Sequence, residues 1–93
     1  MFVVCYDLPC RFNEENGRGV FTNKKPLYLI SKLIKSGLVE RIQNSVLLTD
    51  EPAVAYQIAE AVERAGGHAF VFTVYKLEEF GESLKIKTIL KNI

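Results

Sequence analysis

The stretch FVVCYDL (residues 2–8) gives the first indication of a β-sheet in this chain. It is a short apolar run, rich in β-branched and aromatic residues, that ends at Pro9, and it therefore predicts a β-strand. Successive side chains of a strand point to opposite faces of the sheet. One face of this strand carries Phe2, Val4, Tyr6 and Leu8, and the other carries Val3, Cys5 and Asp7.

The strongest strand pattern in the chain is HAFVFTVYKL (68–77). Its alternation gives one set of side chains, Phe70, Phe72 and Val74, and an opposite set, Val71, Thr73 and Tyr75. We expect Val71 and Tyr75 to lie with Val3 and Cys5 on the face of the sheet that the helices leave open.

Two segments have the three- and four-residue apolar spacing of amphipathic helices, KKPLYLISKLIKSG (24–37) and DEPAVAYQIAEAVERAGG (50–67). Gly37 and Gly66 predict left-handed residues that end these helices. Asp50 is the predicted N-cap of the second helix, because a short acidic side chain can accept a hydrogen bond from a free backbone N–H.

The segment LVERIQNSVLLTD (38–50) connects the helices and mixes apolar and polar residues. It predicts two short strands, or one strand with a kink near Gln43-Asn44. A β-bulge at that point would redirect the polar side chains, as bulges beside functional sites often do.

These elements predict an α+β fold in one domain, residues 1–93. The expected arrangement is a ferredoxin-like βαββαβ unit, with an antiparallel sheet and two helices on one face. The Gly- and Asn-rich residues 9–23 predict a long loop. SLKIKTIL (83–90) predicts an extra C-terminal strand within the tail, 83–93, whose lysines discourage unwanted pairing.

The bulk composition excludes several classes of protein. Two cysteines and one histidine cannot fill a four-ligand zinc site. Because no signal peptide and no apolar run of about 20 residues is present, we expect a cytoplasmic protein without membrane contact.

The net charge of +1 is unevenly spread along the sequence. Residues 1–46 and 83–93 carry a basic excess and residues 47–82 an acidic one, which fits either nucleic-acid contact on one side or chance asymmetry.

The two-faced strands predict self-association. A large apolar patch is rarely left exposed on a monomer, and burying each such side chain contributes roughly 1.5–3 kcal/mol. We therefore expect a homodimer whose sheets pack face to face, about a two-fold axis.

Two short motifs carry a resemblance to a known family. The first strand ends in Tyr6-Asp7, and ERIQNSVL (40–47) follows the first helix. Both resemble the small CRISPR-associated ferredoxin-like family, the second universal spacer-acquisition subunit, described as a metal-dependent nuclease and as a non-catalytic dimer in the integration complex. The likeness in element order covers about residues 1–77. Asn44 and Leu47 stand where the family has aromatic residues, so the chain is equally similar to a divergent relative on a virus or mobile element.

The resemblance implies roles for four residues. Asp7 would be the catalytic residue and the metal ligand, and Arg41 would contact phosphate or support the site. Tyr6 and Ser45 would be supporting residues. One carboxylate cannot hold Mg²⁺ alone, but two-fold symmetry would bring two Asp7 carboxylates together. The alternative is that Asp7 only caps the turn at Leu8-Pro9.

These observations predict a homodimer that binds DNA or RNA through backbone contacts. Arg41, with Arg11 and Arg18 from the 9–23 segment and the tail lysines, would contact phosphate. Mg²⁺-dependent endonuclease activity through Asp7 and an integrase-like partner protein are further expectations from the resemblance. The alternative function is a non-catalytic interaction module that adds its C-terminal strand to another protein's sheet. A third is a regulatory domain that senses a small molecule.

Overall fold

The computed structural model describes residues 1–76 and residue 78. It contains two helices and six strands, in an order that interrupts the predicted pattern with an additional pair of strands. The elements are β1 (Phe2–Asp7), β2 (Cys10–Asn13), β3 (Arg18–Phe21), α1 (Lys25–Lys35), β4 (Glu40–Gln43), β5 (Val46–Thr49), α2 (Pro52–Arg64) and β6 (His68–Thr73).

Four strands form one antiparallel sheet in the order β4-β5-β1-β6. The central strand β1 pairs with β5 on one side and β6 on the other, so that Val4 lies opposite both Leu47 and Val71. The protein is thus α+β with an antiparallel sheet and two helices, as predicted, and in general terms this is consistent with a ferredoxin-like arrangement.

The core lies between one face of this sheet and both helices. Its fully buried side chains include Val4 and Leu47 from the sheet, Ile30 from α1, and Ile58 and Val62 from α2. Tyr6 and Leu8 belong to the same cluster, so the predicted inner face of β1 is confirmed. Each such burial contributes roughly 1.5–3 kcal/mol, so this one layer provides most of the apolar stabilisation.

Both helices end just before the glycines that the sequence predicts as their C-terminal residues. Gly37 has φ 82°, and the Leu38 N–H donates to the Leu33 carbonyl oxygen at 3.1 Å, which completes a Schellman ending. Gly66 has φ 84° after α2. Neither described helix is long and apolar enough to cross a bilayer.

The predicted N-cap Asp50 is wrong. The N-cap of α2 is Glu51, whose side chain makes no capping hydrogen bond. Proline is favoured at the first helical position, where its missing N–H costs nothing. Pro52 therefore starts the helix, one residue later than an N-cap at Asp50 would place the start. The Thr49 hydroxyl accepts a hydrogen bond from the Glu51 N–H at 3.2 Å.

The segment 9–23 is not the predicted loop, because it forms the β2–β3 hairpin. This hairpin is a separate two-stranded sheet in which Cys10 lies opposite Phe21 and Asn13 opposite Arg18. Its turn is closed by Gly17, with φ 67°, and by asparagine side chains that accept backbone N–H groups. The Asn and Gly residues belong to the turn. Because they dominate the composition of this segment, the two short strands beside the turn were not predicted.

The faces of β6 are reversed from the prediction. Val71 packs against the core, whereas Phe70 and Phe72 lie on the opposite face of the sheet, which we call the open face. On this face Cys5 is half-buried and Val3 is buried. The strand ends at Thr73, and Tyr75 lies beyond it, exposed. Because both faces of this segment are apolar, periodicity could not choose between them. The predicted C-terminal strand 83–90 lies outside the described residues.

The segment 38–50 contains the two short strands that its sequence predicts. They are β4 and β5, joined through Asn44 and Ser45. The pairing register shifts between Arg41 and Gln43, so an irregularity of the kind expected from a bulge is present.

Candidate functional site

The two motif segments meet at Tyr6. Its backbone N–H donates to the Ser45 carbonyl oxygen at 3.0 Å, and its hydroxyl donates to the Asn44 carbonyl oxygen at 2.9 Å. Because Tyr6 is buried in the core, these two bonds fix the β4–β5 turn against the central strand. The turn thereby has a defined position at the end of the sheet.

Arg41 completes this connection. Its Nη1 donates to the Asn44 carbonyl oxygen at 2.5 Å and lies 3.5 Å from the Tyr6 hydroxyl oxygen. A guanidinium group has five N–H donors in a rigid fork, and Arg41 is exposed and has no salt bridge to any residue in 1–76 or 78. Arg41 therefore supports the turn and still has N–H groups for an anion.

The tyrosine and arginine line an open depression of about 380 Å³ at this end of the sheet. Four predicted site residues meet there, since Asp7 and Ser45 also line it. Its lining residues are Tyr6, Asp7, Leu8, Phe21, Leu27, Arg41, Asn44 and Ser45. We call this depression the Arg41 pocket.

Asp7 lies where the Arg41 pocket meets the open face of the sheet. It is exposed at the end of β1, opposite His68 on β6. A second, smaller depression of about 230 Å³ is lined by Cys5, Tyr6, Asp7, His68 and Phe70. The carboxylate can therefore be approached from the Arg41 pocket and from the open face.

The backbone at Asp7 is held by a close crossing of the chain. A Cβ atom built on Gly67 would lie 2.3 Å from the Asp7 carbonyl oxygen and 2.9 Å from a methyl carbon of Val62. No side chain fits there, so only glycine allows β6 to begin directly beside the end of β1. This contact sets the register in which His68 faces Asp7.

The residues of one chain do not by themselves fit a magnesium site. Within residues 1–76 and 78, no group of three or more His, Cys, Asp or Glu side chains is placed to hold a metal ion. Mg²⁺ prefers six oxygen ligands and commonly takes one or two carboxylates together with waters and phosphate. Asp7 alone offers one carboxylate, so a second copy or a bound phosphate would have to provide the rest.

Arg11 and Arg18 do not line the Arg41 pocket. Arg11 lies opposite Val20 and Arg18 opposite Asn13, so both arginines are on one face of the hairpin. Arg11 lines a separate depression made of hairpin residues. Both arginines are exposed, and neither has an ion pair within the described part of the chain.

Sequence reasoning missed three residues that shape the site. Asn44 contributes through its backbone carbonyl, which no side-chain pattern reveals. Phe21 enters the Arg41 pocket from a hairpin that was expected to be a loop. Gly67 could have been found, since the second glycine of Gly66-Gly67 is not needed to end a helix.

No family model, no curated protein and no solved structure matches this chain. The resemblance to the CRISPR-associated family therefore remains a hypothesis.

Proposed function

We propose that the chain forms a homodimer that binds DNA or RNA through the phosphate backbone, as a relative of the CRISPR-associated ferredoxin-like family would. The observation that carries this proposal is that Asp7 and Arg41 line one pocket at the end of the sheet, with Asp7 on the same face as the exposed Phe70 and Phe72. The sheet order β4-β5-β1-β6 supports a ferredoxin-like unit.

The dimer proposal is supported by the open face of the sheet. Phe70 and Phe72 are 63% and 52% exposed on it, with ring centroids 6.5 Å apart. Cys5 and Val46 lie half-buried beside them. Contiguous exposed aromatic surface of this kind marks an interaction site. A second copy would cover it with an identical surface, as two-fold symmetry requires.

The nucleic-acid proposal is supported by the arginines. Arg41 has free N–H groups at the rim of its pocket, and Arg11 and Arg18 are unpaired within the described residues. A planar guanidinium can bind phosphate through two parallel hydrogen bonds. Three such arginines in each chain give a dimer about six phosphate contacts.

Cleavage of phosphodiesters with Mg²⁺ is the enzymatic form of this proposal. It is favoured by the exposure of Asp7 on the same face as Phe70 and Phe72, where a second copy would approach. Two Asp7 carboxylates near a two-fold axis would repel each other unless a cation lay between them. Asp7 from both chains would be the protein ligands of such an ion.

A non-catalytic interaction module is the competing function. It would use the segment 83–90, whose sequence predicts a strand and which lies outside the described residues, to join the sheet of an integrase-like or other partner protein. This function requires no phosphate binding by Arg41, and a binding measurement therefore distinguishes the two functions.

The test is fluorescence anisotropy of a labelled oligonucleotide at two salt concentrations. A dimer with about six phosphate contacts should lose about 10³-fold in affinity between about 50 and 200 mM salt. Arg41→Gln should weaken binding and flatten the salt dependence. Arg64→Gln, which removes an exposed arginine of α2 that pairs with Glu60, is the matched control and should do neither. Absence of binding at the lower salt concentration would refute the proposal.

A further inference from the structure

The β2–β3 hairpin presents two aromatic side chains that the proposed dimer leaves unused. Phe12 is 67% exposed and Phe21 is 43% exposed. Phe12 pairs with Gly19, and Phe21 pairs with Cys10. Since paired residues share a face and alternate residues along a strand return to it, both phenylalanines lie on the same face of the hairpin.

The surroundings of the two rings favour a flat ligand. Phe12 and Phe21 are diagonal neighbours across the two strands, a relation that places side chains about 7–8 Å apart. Gly19, opposite Phe12, has no side chain that could cover the ring. Two exposed aromatic side chains thus lie on one face of the hairpin.

Phe21 connects this surface to the candidate site. It lines the Arg41 pocket together with Tyr6, Asp7 and Arg41. A ring that stacks on Phe21 would therefore lie beside the guanidinium group of Arg41, which has N–H groups left for phosphate. An aromatic platform beside a phosphate-binding cation is the combination that proteins use to hold unpaired bases.

We propose that the hairpin binds single-stranded nucleic acid, or an unpaired segment of a folded one, by stacking bases on Phe12 and Phe21. This inference rests on the proposed function and names its substrate class. Phosphates of the same strand would contact Arg41 beside Phe21, and Arg11 on the opposite hairpin face. Glu14 and Glu15 lie in the exposed turn and would keep phosphate away from the tip, so the strand would follow the base of the hairpin.

Charge favours a nucleic acid over an apolar protein partner. The hairpin strands carry two exposed arginines, Arg11 and Arg18, and no acidic residue. Lys24 and Lys25 lie shortly after β3, beyond Thr22 and Asn23, and are also exposed. Aromatic rings interleaved with basic residues complement a chain of bases and phosphates.

The test compares a labelled single-stranded oligonucleotide with its duplex, as DNA and as RNA. The Phe12→Leu/Phe21→Leu variant keeps apolar bulk and loses the aromatic plane, whereas Phe12→Tyr/Phe21→Tyr keeps the ring. We expect the wild type to prefer the single strand, and the leucine variant to bind it about tenfold more weakly for each ring. The tyrosine variant should bind like the wild type, and all three proteins should bind the duplex equally.

Two results would overturn the inference, and they separate it from the proposed function. If the leucine variant binds the single strand as tightly as the wild type, or if the wild type prefers the duplex, the hairpin does not stack bases. Neither result affects the proposed phosphate binding through Arg41. If the wild type binds neither oligonucleotide, the proposed function fails and this inference fails with it. Circular dichroism of each variant shows whether the fold is retained.

Discussion

Gly67 contacts the backbone of Asp7 so closely that a Cβ atom at position 67 would lie 2.3 Å from the Asp7 carbonyl oxygen. The residue just before β6 thus determines the position of the Asp7 backbone at the candidate site. The fold and the site depend on the same contact.

Replacing Gly67 with alanine should therefore destabilise the protein. The added methyl group would meet the Asp7 carbonyl and a Val62 methyl group, and forcing such an atom into a packed core costs typically about 1–3 kcal/mol. Gly19→Ala is the matched control, because its Cβ would make only an ordinary contact of 3.6 Å with the Cys10 Sγ. Urea denaturation should show a lower free energy of unfolding for Gly67→Ala alone. Equal stability of the two variants would mean that the chain does not cross so closely at Asp7.

Removing the Tyr6 hydroxyl should loosen the β4–β5 turn. Tyr6→Phe removes the hydrogen bond to the Asn44 carbonyl oxygen, which is then left with Arg41 as its remaining donor. A bond of this kind contributes about 0.5–1.5 kcal/mol to the free energy of unfolding. The control is Tyr28→Phe, in a tyrosine that is 67% exposed on α1 and should change stability by less than about 0.5 kcal/mol. Hydrogen exchange of the Tyr6 backbone N–H, which bonds to Ser45, should also become faster in Tyr6→Phe. If that rate is unchanged, the hydroxyl does not hold the turn.

Asp7→Asn separates binding from cleavage. If the dimer cleaves phosphodiesters with Mg²⁺, this variant should lose cleavage and bind oligonucleotide at least as tightly, because a negative charge beside the phosphate is removed. Asp50→Asn, in an exposed acid outside both depressions, should cleave like the wild type. Cleavage is followed on a denaturing gel with and without EDTA. If the wild type binds oligonucleotide but does not cleave it, the protein is a binding protein without nuclease activity. If Asp7→Asn still cleaves, Asp7 is not a catalytic residue.

The sequence was sufficient to predict elements whose pattern of residues fits only one local structure. The inner face of β1 follows from alternation, because Asp7 marks the outer face as the one that can meet water. Gly37 and Gly66 end helices because a left-handed residue there favours glycine. These features depend on residues close together in the sequence, so the sequence pattern is enough to predict them.

Features that depend on pairing could not be predicted in the same way. Phe70 and Val71 are both apolar, so the pattern of β6 fits either face, and the pairing of His68 with Asp7 decides between them. The hairpin strands are only four residues each and lie beside a turn rich in Asn and Gly. The link between Tyr6 and Arg41 passes through the Asn44 backbone carbonyl, which no side-chain pattern specifies. Only the family resemblance assigns both residues to one site.

The proposed function requires self-association through the open sheet face, and sedimentation equilibrium of three proteins measures it. The wild type should have twice the 10.5 kDa mass of the chain at micromolar concentration. Phe70→Thr/Phe72→Thr, which keeps strand propensity and removes the exposed rings, should have the mass of one chain. Tyr28→Gln/Tyr56→Gln, which removes two rings of similar exposure, 67% and 60%, from the helices, should remain a dimer. A wild type with the mass of one chain, or a threonine variant that still dimerises, would contradict the account.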